Sequence, residues 1–575
     1  MRLLIAGLTL MLVSPLRAQD SVIVIDPNAP PTDSVVGAGP PPEVISELIA
    51  LYNDSSATRL QGDVTLPAGT RFEGGLALFR GSLRIAGRVS GPVTVANGTL
   101  YLLPGASVQG DILVVGGRLI RSEQVEHIGQ ARVYWDAAPV VRTPEGWLAL
   151  RERRRSLSEI ATARTSFQVG KVRTTLSLST GGTYNRIEGL PLQFGPLFEL
   201  RPSRSTYARL DLRGILRTTG SSEAPGDFGY MARADFRVQE KLEYGISGRL
   251  YSQVDAIEDQ PFSRSEVGWS ALLLQRDYRD YFEREGIAGA VYVKPHPAWR
   301  VELSLSRDAE RSVRANDPWS VFRNSDTWRR NPLIDDGHYF TTGLEVEFDT
   351  RNDRDQPTSG WMIRGRFEHS TSDDIAPVAL PPTVRPTPET GGGYGTGRLL
   401  LDVRRYARLT PKLQMNIRLR TDSWIEGDRL PMQRRFSLGG LDLLPGFDFR
   451  AFTCAPSGFT DPADPALCDR MIITQVELRS RVALNLGYRM PDREDSPGRF
   501  IGIKEADLVV FGDGGKAWLA GSGPGQVPVN SLPVLKEWEY DAGVGLDAGG
   551  IGAYLAKSLS EDEPVKFVVR LQRRF

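Results

Sequence analysis

From about Gly181 to the last residue the chain obeys one rule: apolar side chains at alternate positions, charged or polar ones between them. Leu344, Val346 and Phe348 alternate with Glu345, Glu347 and Asp349; Trp361, Ile363 and Phe367 alternate with Met362, Arg364, Arg366 and Glu368; Leu413, Met415, Ile417 and Leu419 alternate with Gln414, Asn416, Arg418 and Arg420. A period of two puts each set on one face of a β-strand. One face is apolar and the other carries charges of both signs. A soluble sandwich also turns a polar face to water, so alternation alone does not require a membrane. Length discriminates better, because these strands run about 9 to 14 residues, beyond the ~5 to 6 usual in soluble sheets and enough to cross a bilayer at a tilt. In lipid every backbone group needs a partner, which antiparallel strands supply only by closing on themselves, and closure gives the charged face an interior. The expected fold is all-β, a transmembrane antiparallel barrel of about 16 strands over residues 166–575.

Composition agrees. With 59 glycines and 39 prolines in 575 residues the chain is rich in turns rather than in spanning helices. Lys+Arg 70 against Asp+Glu 70 gives no electrostatic reason to expect nucleic acid as a partner.

The amino-terminal part is organised differently. Residues 1–18 read as a signal peptide, with Arg2 as the basic start, an apolar run from Leu3 to Val13 and a cleavage site at Leu16, Arg17 and Ala18. The alternative, a membrane anchor, falls short of the ~20 apolar residues a spanning helix needs. Residues 19–58 form a Pro/Asp/Gly-rich tether and a short helix with Val44, Ile45, Leu48, Ile49 and Tyr52 on one face behind Pro41 and Pro42. Over 59–135, short apolar runs are punctuated by glycine, and Gly69, Gly87 and Gly105 fall at intervals of 18 residues by subtraction. That spacing suits one coil of a β-solenoid, with corners at the glycines and Val, Ile and Leu stacking inside. The texture resembles bactofilin-like right-handed β-helices; a small β-sandwich is the alternative. Residues 136–165 are a linker in which 143–163, with Trp147, Leu148, Leu150, Leu157 and Ile160 around Arg151, Arg153, Arg154 and Arg155, read as an amphipathic helix.

Three further stretches carry functional meaning. The first, R-R-F-S-L-G-G-L-D-L-L-P-G-F from Arg434 to Phe447, is a glycine-rich loop with an apolar tip, containing Phe436, Gly439, Gly440, Pro445, Gly446 and Phe447. Just beyond it, Cys454 and Cys468 sit in a polar stretch, and in an exported chain they read as a local disulfide. The chain ends on Val565, Phe567, Val569, Leu571 and Phe575, an alternating strand with an aromatic terminus. That ending resembles the targeting signal of bacterial outer-membrane barrels, with Arg573 at a normally apolar position.

Together these pieces resemble the BamA/TamA superfamily of outer-membrane assembly factors, the bacterial surface antigen family. Phe436 to Phe447 is similar to the family's lumen-loop motif. Phe511, Asp513 and Gly515, followed by Trp518, match its F-x-D-x-G strand motif. Asp349-Thr350-Arg351-Asn352-Asp353 with Pro357-Thr358-Ser359-Gly360-Trp361 is similar to its D-x-R-x-D…P-x-x-G-W hairpin, and Tyr184 to Leu190 looks like an early barrel strand. The resemblance implies insertion of outer-membrane proteins or polypeptide translocation through a weak seam between the first and last strands. It implies outer-membrane lipid, unfolded client chains and periplasmic or lipoprotein partners, with no cofactor.

Two departures stand out. The family's loop tip carries an arginine before the glycine, paired with inward acidic groups, and here that position is Pro445. Its role must be lost or supplied elsewhere, for instance by Arg450, leaving Asp513 to seek partners among inward charges such as Glu477 and Arg479. The family's POTRA domains are also absent from the pattern, and the solenoid, expected in the periplasm, stands in their place. Enzymatic chemistry is not expected. His127, His296, His338 and His369 are scattered, there is no G-x-S-x-G or H-E-x-x-H, and Gly543-x-Gly545 has no βαβ unit around it. The acidic run Asp349, Asn352, Asp353 and Asp355 lacks a calcium-loop signature and reads as a charged turn. A structural tether or solute-transport barrel is the alternative to an insertase.

Overall fold

The computed structural model describes residues 34–575 except 38–39, 41, 55–56, 135–137, 139, 144–145, 150–161, 181–183, 204, 220–224, 241, 259–262, 323–327, 355, 381–392, 411, 441, 456–464, 490–499 and 524. The expected signal peptide therefore lies outside the described residues. The chain divides into two compact units, one of Met1–Arg154, Thr350–Gly360 and Arg405–Met415, the other of Arg155–Asp349, Trp361–Arg404 and Asn416–Phe575.

The amino-terminal unit contains a three-sided β-solenoid of parallel strands. One side stacks β2 (Thr58–Gln61), the first half of β5 (Leu76–Ile85), the first half of β7 (Val93–Leu102), β9 (Ile112–Val115) and β12 (Ala131–Tyr134), and β1 (Ser34–Gly37) joins it beside β12. The second side stacks β3 (Val64–Leu66), the far halves of β5 and β7, and β10 (Arg118–Arg121); the third stacks β4 (Arg71–Glu73), β6 (Arg88–Ser90), β8 (Ser107–Gln109) and β11 (Glu126–Ile128). Inward Leu76, Leu78, Val93, Val95, Ile112 and Val114 make the dry core.

Glycine acts here in a way its 18-residue spacing did not reveal. Gly69 and Gly105 are corner residues with φ near +85° and +84°, but Gly87 is not in that region; a Cβ on it would sit 2.5 Å from Thr70 O. Close stacking runs through Gly81, Gly98 and Gly117, where each added Cβ would strike the carbonyl oxygen of the glycine one coil below (Gly62, Gly81 and Gly98) at 2.4 Å or less. Coil-to-coil packing thus fixes these positions as glycine.

Helix α1 (Pro42–Asn53) lays Val44, Ile45, Leu48 and Tyr52 over Ala77, Ala96, Leu113 and Val115, whose small or flat outward side chains make room for it. Where an amphipathic helix is expected over 143–163, the described residues at its two ends are strands instead. Val140–Thr143 (β13) and Gly146–Ala149 (β14) form a hairpin, and Thr162 already belongs to a strand, while 150–161 lie outside the described residues.

The second unit is dominated by one antiparallel 17-stranded sheet in strict sequence order, β15 to β31. Its strands are β15 (Thr162–Val169), β16 (Val172–Thr180), β17 (Leu192–Leu200), β18 (Thr206–Leu216), β19 (Phe228–Gln239), β20 (Glu243–Ala256), β21 (Tyr281–Lys294), β22 (Trp299–Ser312), β23 (Gly337–Asp349), β24 (Gly360–Ser372), β25 (Tyr394–Arg408), β26 (Leu413–Gly427), β27 (Arg470–Arg489), β28 (Phe500–Trp518), β29 (Glu539–Ala548), β30 (Ile551–Ser558) and β31 (Lys566–Arg570). Strands β16 to β31 account for the sixteen expected; β15 is additional, and its side chains from Ala163 on are exposed.

The register shows why the sheet belongs in lipid. Phe236, Ile246, Val291, Leu303, Leu344 and Phe367 are direct cross-strand neighbours over six consecutive strands. The first five of them are 43–55% exposed on the outside. A water-soluble protein rarely leaves so continuous an apolar band uncovered, whereas a barrel in lipid requires it. The opposite face holds ion pairs: Arg213–Asp211 at 2.6 Å, Arg284–Asp308 at 2.6 Å, Arg364–Glu347 at 2.7 Å and Arg398–Asp422 at 2.6 Å.

Two details differ from expectation. Residues 184–190 are not a strand but a turn bridged between Asn185 and Gly189, which buries Arg186 against Asp277 and Asp280 at 3.2 and 2.7 Å. The terminal strand stops at Arg570. Phe567 and Val569 face outward at 68% and 53% exposure, but Leu571 is half-buried and Phe575 is buried, so the last five residues leave the sheet.

Candidate functional site: the lumen loop and its anchors

Residues 428–469 connect β26 to β27, and the described ones fold into the barrel interior. Pro431 leads into a single 3-10 turn, Met432–Arg434, and the chain then pairs with itself through isolated bridges, Phe436 with Cys468, Leu438 with Phe452 and Gly440 with Leu444. Gly439 and Gly440 have φ of +111° and +96°, and a Cβ on Gly439 would lie 2.7 Å from Asp448 O. Leu430, Phe436, Leu438, Leu443, Leu444 and Phe447 form an apolar centre with Met471 and Ile473 of the wall. Cys454 and Cys468 are disulfide-bonded.

Polar contacts then fasten this unit to the wall from several sides. Arg435, fully buried, donates to the carbonyls of Leu430 and Leu467 at 2.9 and 2.8 Å, which holds the two ends of the loop together. Gln433 donates to Glu310 at 2.8 Å, Arg434 pairs with the same carboxylate, and the Met432 N–H donates to Asp335 at 3.0 Å. Burial pushes the Asp335 carboxyl up to about 6 despite the N–H groups of Val378 and Met432 that it accepts. Ser437 donates its N–H and its hydroxyl to Glu258 at 3.2 and 3.0 Å. On the opposite side Gln475 donates to the carbonyls of Asp442 and Leu443, and Arg570 of β31 pairs with Asp442 at 2.8 Å.

At the tip, Pro445 presents no charge, but Gly446 meets the wall directly. Its N–H donates to Asp541 at 2.6 Å, and a Cβ there would come within 2.7 Å of Asp541 Cβ and of Ser558 N. Glycine is required for that approach. Asp541 lies directly across from Asp513 in the β28–β29 ladder, so two carboxylates face one interior position. The cation between wall and tip is Arg574, which pairs with Asp513 and stacks 3.7 Å from the Phe511 ring. Phe511 in turn packs edge-on to Tyr554, over Gly543, where any side chain would strike its ring.

The other expected residues sit elsewhere. Glu477 accepts from Asn416 at 2.6 Å and from Arg479 at 3.2 Å, while Arg479 also reaches Asp507 and Asp547. Neither bonds Asp513. Arg450 anchors the loop to Asp280, far along the sequence from Asp513. Gly515 allows β27 to pass close, a Cβ there falling 2.8 Å from Ile472 O. In the hairpin 349–361, Asn352 accepts the N–H groups of Thr358 and Ser359, both at 2.9 Å, and Gly360 has φ of +105°. Sequence reading missed Arg574, Arg570 and Asp541. The only signal was the unusual arginine content of the last six residues.

Residues 298–548, from β22 through β29, match the Omp85 superfamily domain and include the hairpin, the lumen loop and the F-x-D-x-G strand. This segment is an Omp85 superfamily domain. The BamA/TamA resemblance of its motifs is thereby met at the level of the superfamily. The Omp85 domain leaves out the solenoid, β15 to β21, β30 and β31. Among solved structures the chain is similar to BamA from Haemophilus ducreyi lacking POTRA domains 1–3, at 11% identity and TM-score 0.37 over 75% of this chain and 79% of that one. It is also similar to CdiB from Acinetobacter baumannii and from Escherichia coli, each at 12% identity and TM-score 0.28, over 72% and 71% of this chain and 66% and 63% of theirs. No curated protein matches.

Proposed function

We propose that this Omp85-domain protein is an outer-membrane barrel, with its solenoid in the periplasm, that inserts outer-membrane proteins or moves polypeptides across the membrane without covalent catalysis. The observation that carries this reading is the seam. Among the described residues no pairing joins β15 to β31, so the sheet ends in two strand edges, and β31 is only five residues long. An unpaired edge offers backbone N–H and C=O groups to an incoming extended chain, which binds by adding a strand. The lumen loop, anchored to Arg570 of β31 through Asp442, ties the interior plug to that edge. No step calls for a nucleophile or a metal. Unfolded outer-membrane proteins are the clients this reading implies, with periplasmic or lipoprotein partners.

Depletion of the protein followed by a survey of outer-membrane protein levels and folding is the test. Reduced assembly of a set of barrels, or loss of one translocated polypeptide, is expected; unchanged assembly and secretion would leave the second reading, a tethering or solute-transport barrel. That reading draws on the ion-paired inner face of the sheet.

A further inference from the structure

A cavity of about 380 Å³ lies in the barrel interior between the lumen loop and the wall formed by β20 to β27. Its lining is unusually cationic. Seven arginines line it, among them Arg249, Arg284, Arg366, Arg398, Arg420 and Arg434, against four carboxylates, Asp255, Glu258, Glu368 and Asp422. Several of these charges are already satisfied. Arg284 pairs with Asp308 at 2.6 Å, Arg434 with Glu310, and Arg366 with Glu368 at 2.7 Å.

Arg420 is the exception. It is only 8% exposed, and its nearest carboxylate, Asp422, is 3.6 Å away. Asp422 has both oxygens engaged by Arg398, at 2.7 and 2.6 Å. The Nε of Arg420 has no hydrogen-bond partner among the described residues. Arg249, on the same cavity wall, stacks 4.9 Å from Tyr251 and has no described carboxylate within ion-pair distance. Two guanidiniums, Arg398 and Arg420, thus share the single carboxylate of Asp422, and this part of the lining carries more positive than negative charge, which an anion would balance. The guanidinium fork matches phosphate and carboxylate oxygens. Ser304, Ser306 and Thr341 on the same lining supply neutral donors.

We infer that this cavity binds a small oxyanion, a phosphate or carboxylate group of a soluble molecule, with Arg420 as the principal contact and Arg366 and Arg249 completing the site. The inference does not rest on the insertase reading, and either can fail alone. The test titrates inorganic phosphate, and separately succinate, into the full-length protein folded in detergent micelles, with chloride at matched ionic strength as reference. Saturable uptake of one or both is expected, which also tells phosphate from dicarboxylate. Arg420→Gln should weaken it at least tenfold. Arg366→Gln, at a partly exposed side chain whose loss leaves the core intact, should weaken it at least threefold. Arg213→Gln, which does not line the cavity, should leave it unchanged. Heat-modifiable migration checks that each variant is folded, and Arg366→Gln decides should Arg420→Gln misfold. No saturable uptake above the chloride reference, or equal uptake by the folded Arg366→Gln variant, overturns the inference.

Discussion

Arg574, the penultimate residue, is buried in an ion pair with Asp513, 61 positions earlier in the chain, while the tip of the lumen loop binds the facing Asp541 through a backbone N–H. The loop tip and the carboxy terminus therefore hold the same pair of wall carboxylates, and the tail supplies the charge that Pro445 cannot. A cation reaching this site from the residues after β31 rather than from the loop puts the tail and the loop tip on one pair of facing carboxylates.

Removing that cation leaves two buried carboxylates facing each other. Arg574→Ala is expected to cost ~3 to 5 kcal/mol, the usual penalty for stranding one member of a buried pair. It should appear as a lower midpoint of heat-modifiability. Arg574→Ala combined with Asp513→Asn should recover most of the loss, because it leaves the site with the net charge of the wild type, a single carboxylate, Asp541, that accepts the Gly446 N–H; a double variant as weak as the single one would refute the pairing argument.

The disulfide closes 14 residues of sequence separation, for which chain entropy gives ~3 kcal/mol. Replacing Cys454 and Cys468 with serine together should leave the barrel folded but open the loop to protease, seen as cleavage products absent from the oxidised protein. Equal protection with and without the bond would show that the side-chain anchors suffice.

Leu344 sits in the outward ladder between Leu303 and Phe367. Leu344→Arg is expected to destabilise the protein in lipid by ~2 to 4 kcal/mol, the depth-dependent cost of a charge on the lipid face. Thr341→Glu, a charge placed toward the arginine-rich cavity, should cost much less. Equal tolerance of both in vesicle-folded protein would count against a lipid-facing band.

Asp335 gives a pH signature. Burial raises its carboxyl from an ordinary value near 3.8 to about 6, so the folded state holds that proton more tightly than the unfolded chain. The stability this confers is fully present below about pH 4 and is lost as pH rises to about 6. In Asp335→Asn the term is missing throughout, so the stability gap between wild type and variant should narrow from pH 4 to 7, as read from unfolding midpoints. A gap that widens would reverse the assigned sign.

Sequence alone determined the two-faced strands, because a period of two is a property of the extended backbone and needs no partner to be read. It also determined the paired cysteines and the need for glycine at the loop. The solenoid was legible through its repeat, but Gly87 showed that a glycine spaced like a corner can serve instead to let one coil lie on the next. Tertiary structure alone decided the rest. Nothing in T-A-R-T-S-F-Q-V, exposed from Ala163 on, marks Thr162–Val169 as an extra edge strand, since pairing with β16 is what orders it. Nor does the alternation of 565–575 show that the chain leaves the sheet after Arg570, because Arg570 and Arg574 find their carboxylates, Asp442 and Asp513, on the loop and on β28. Which cation meets which carboxylate inside a barrel depends on what closure brings across the lumen, and that is set by register and curvature.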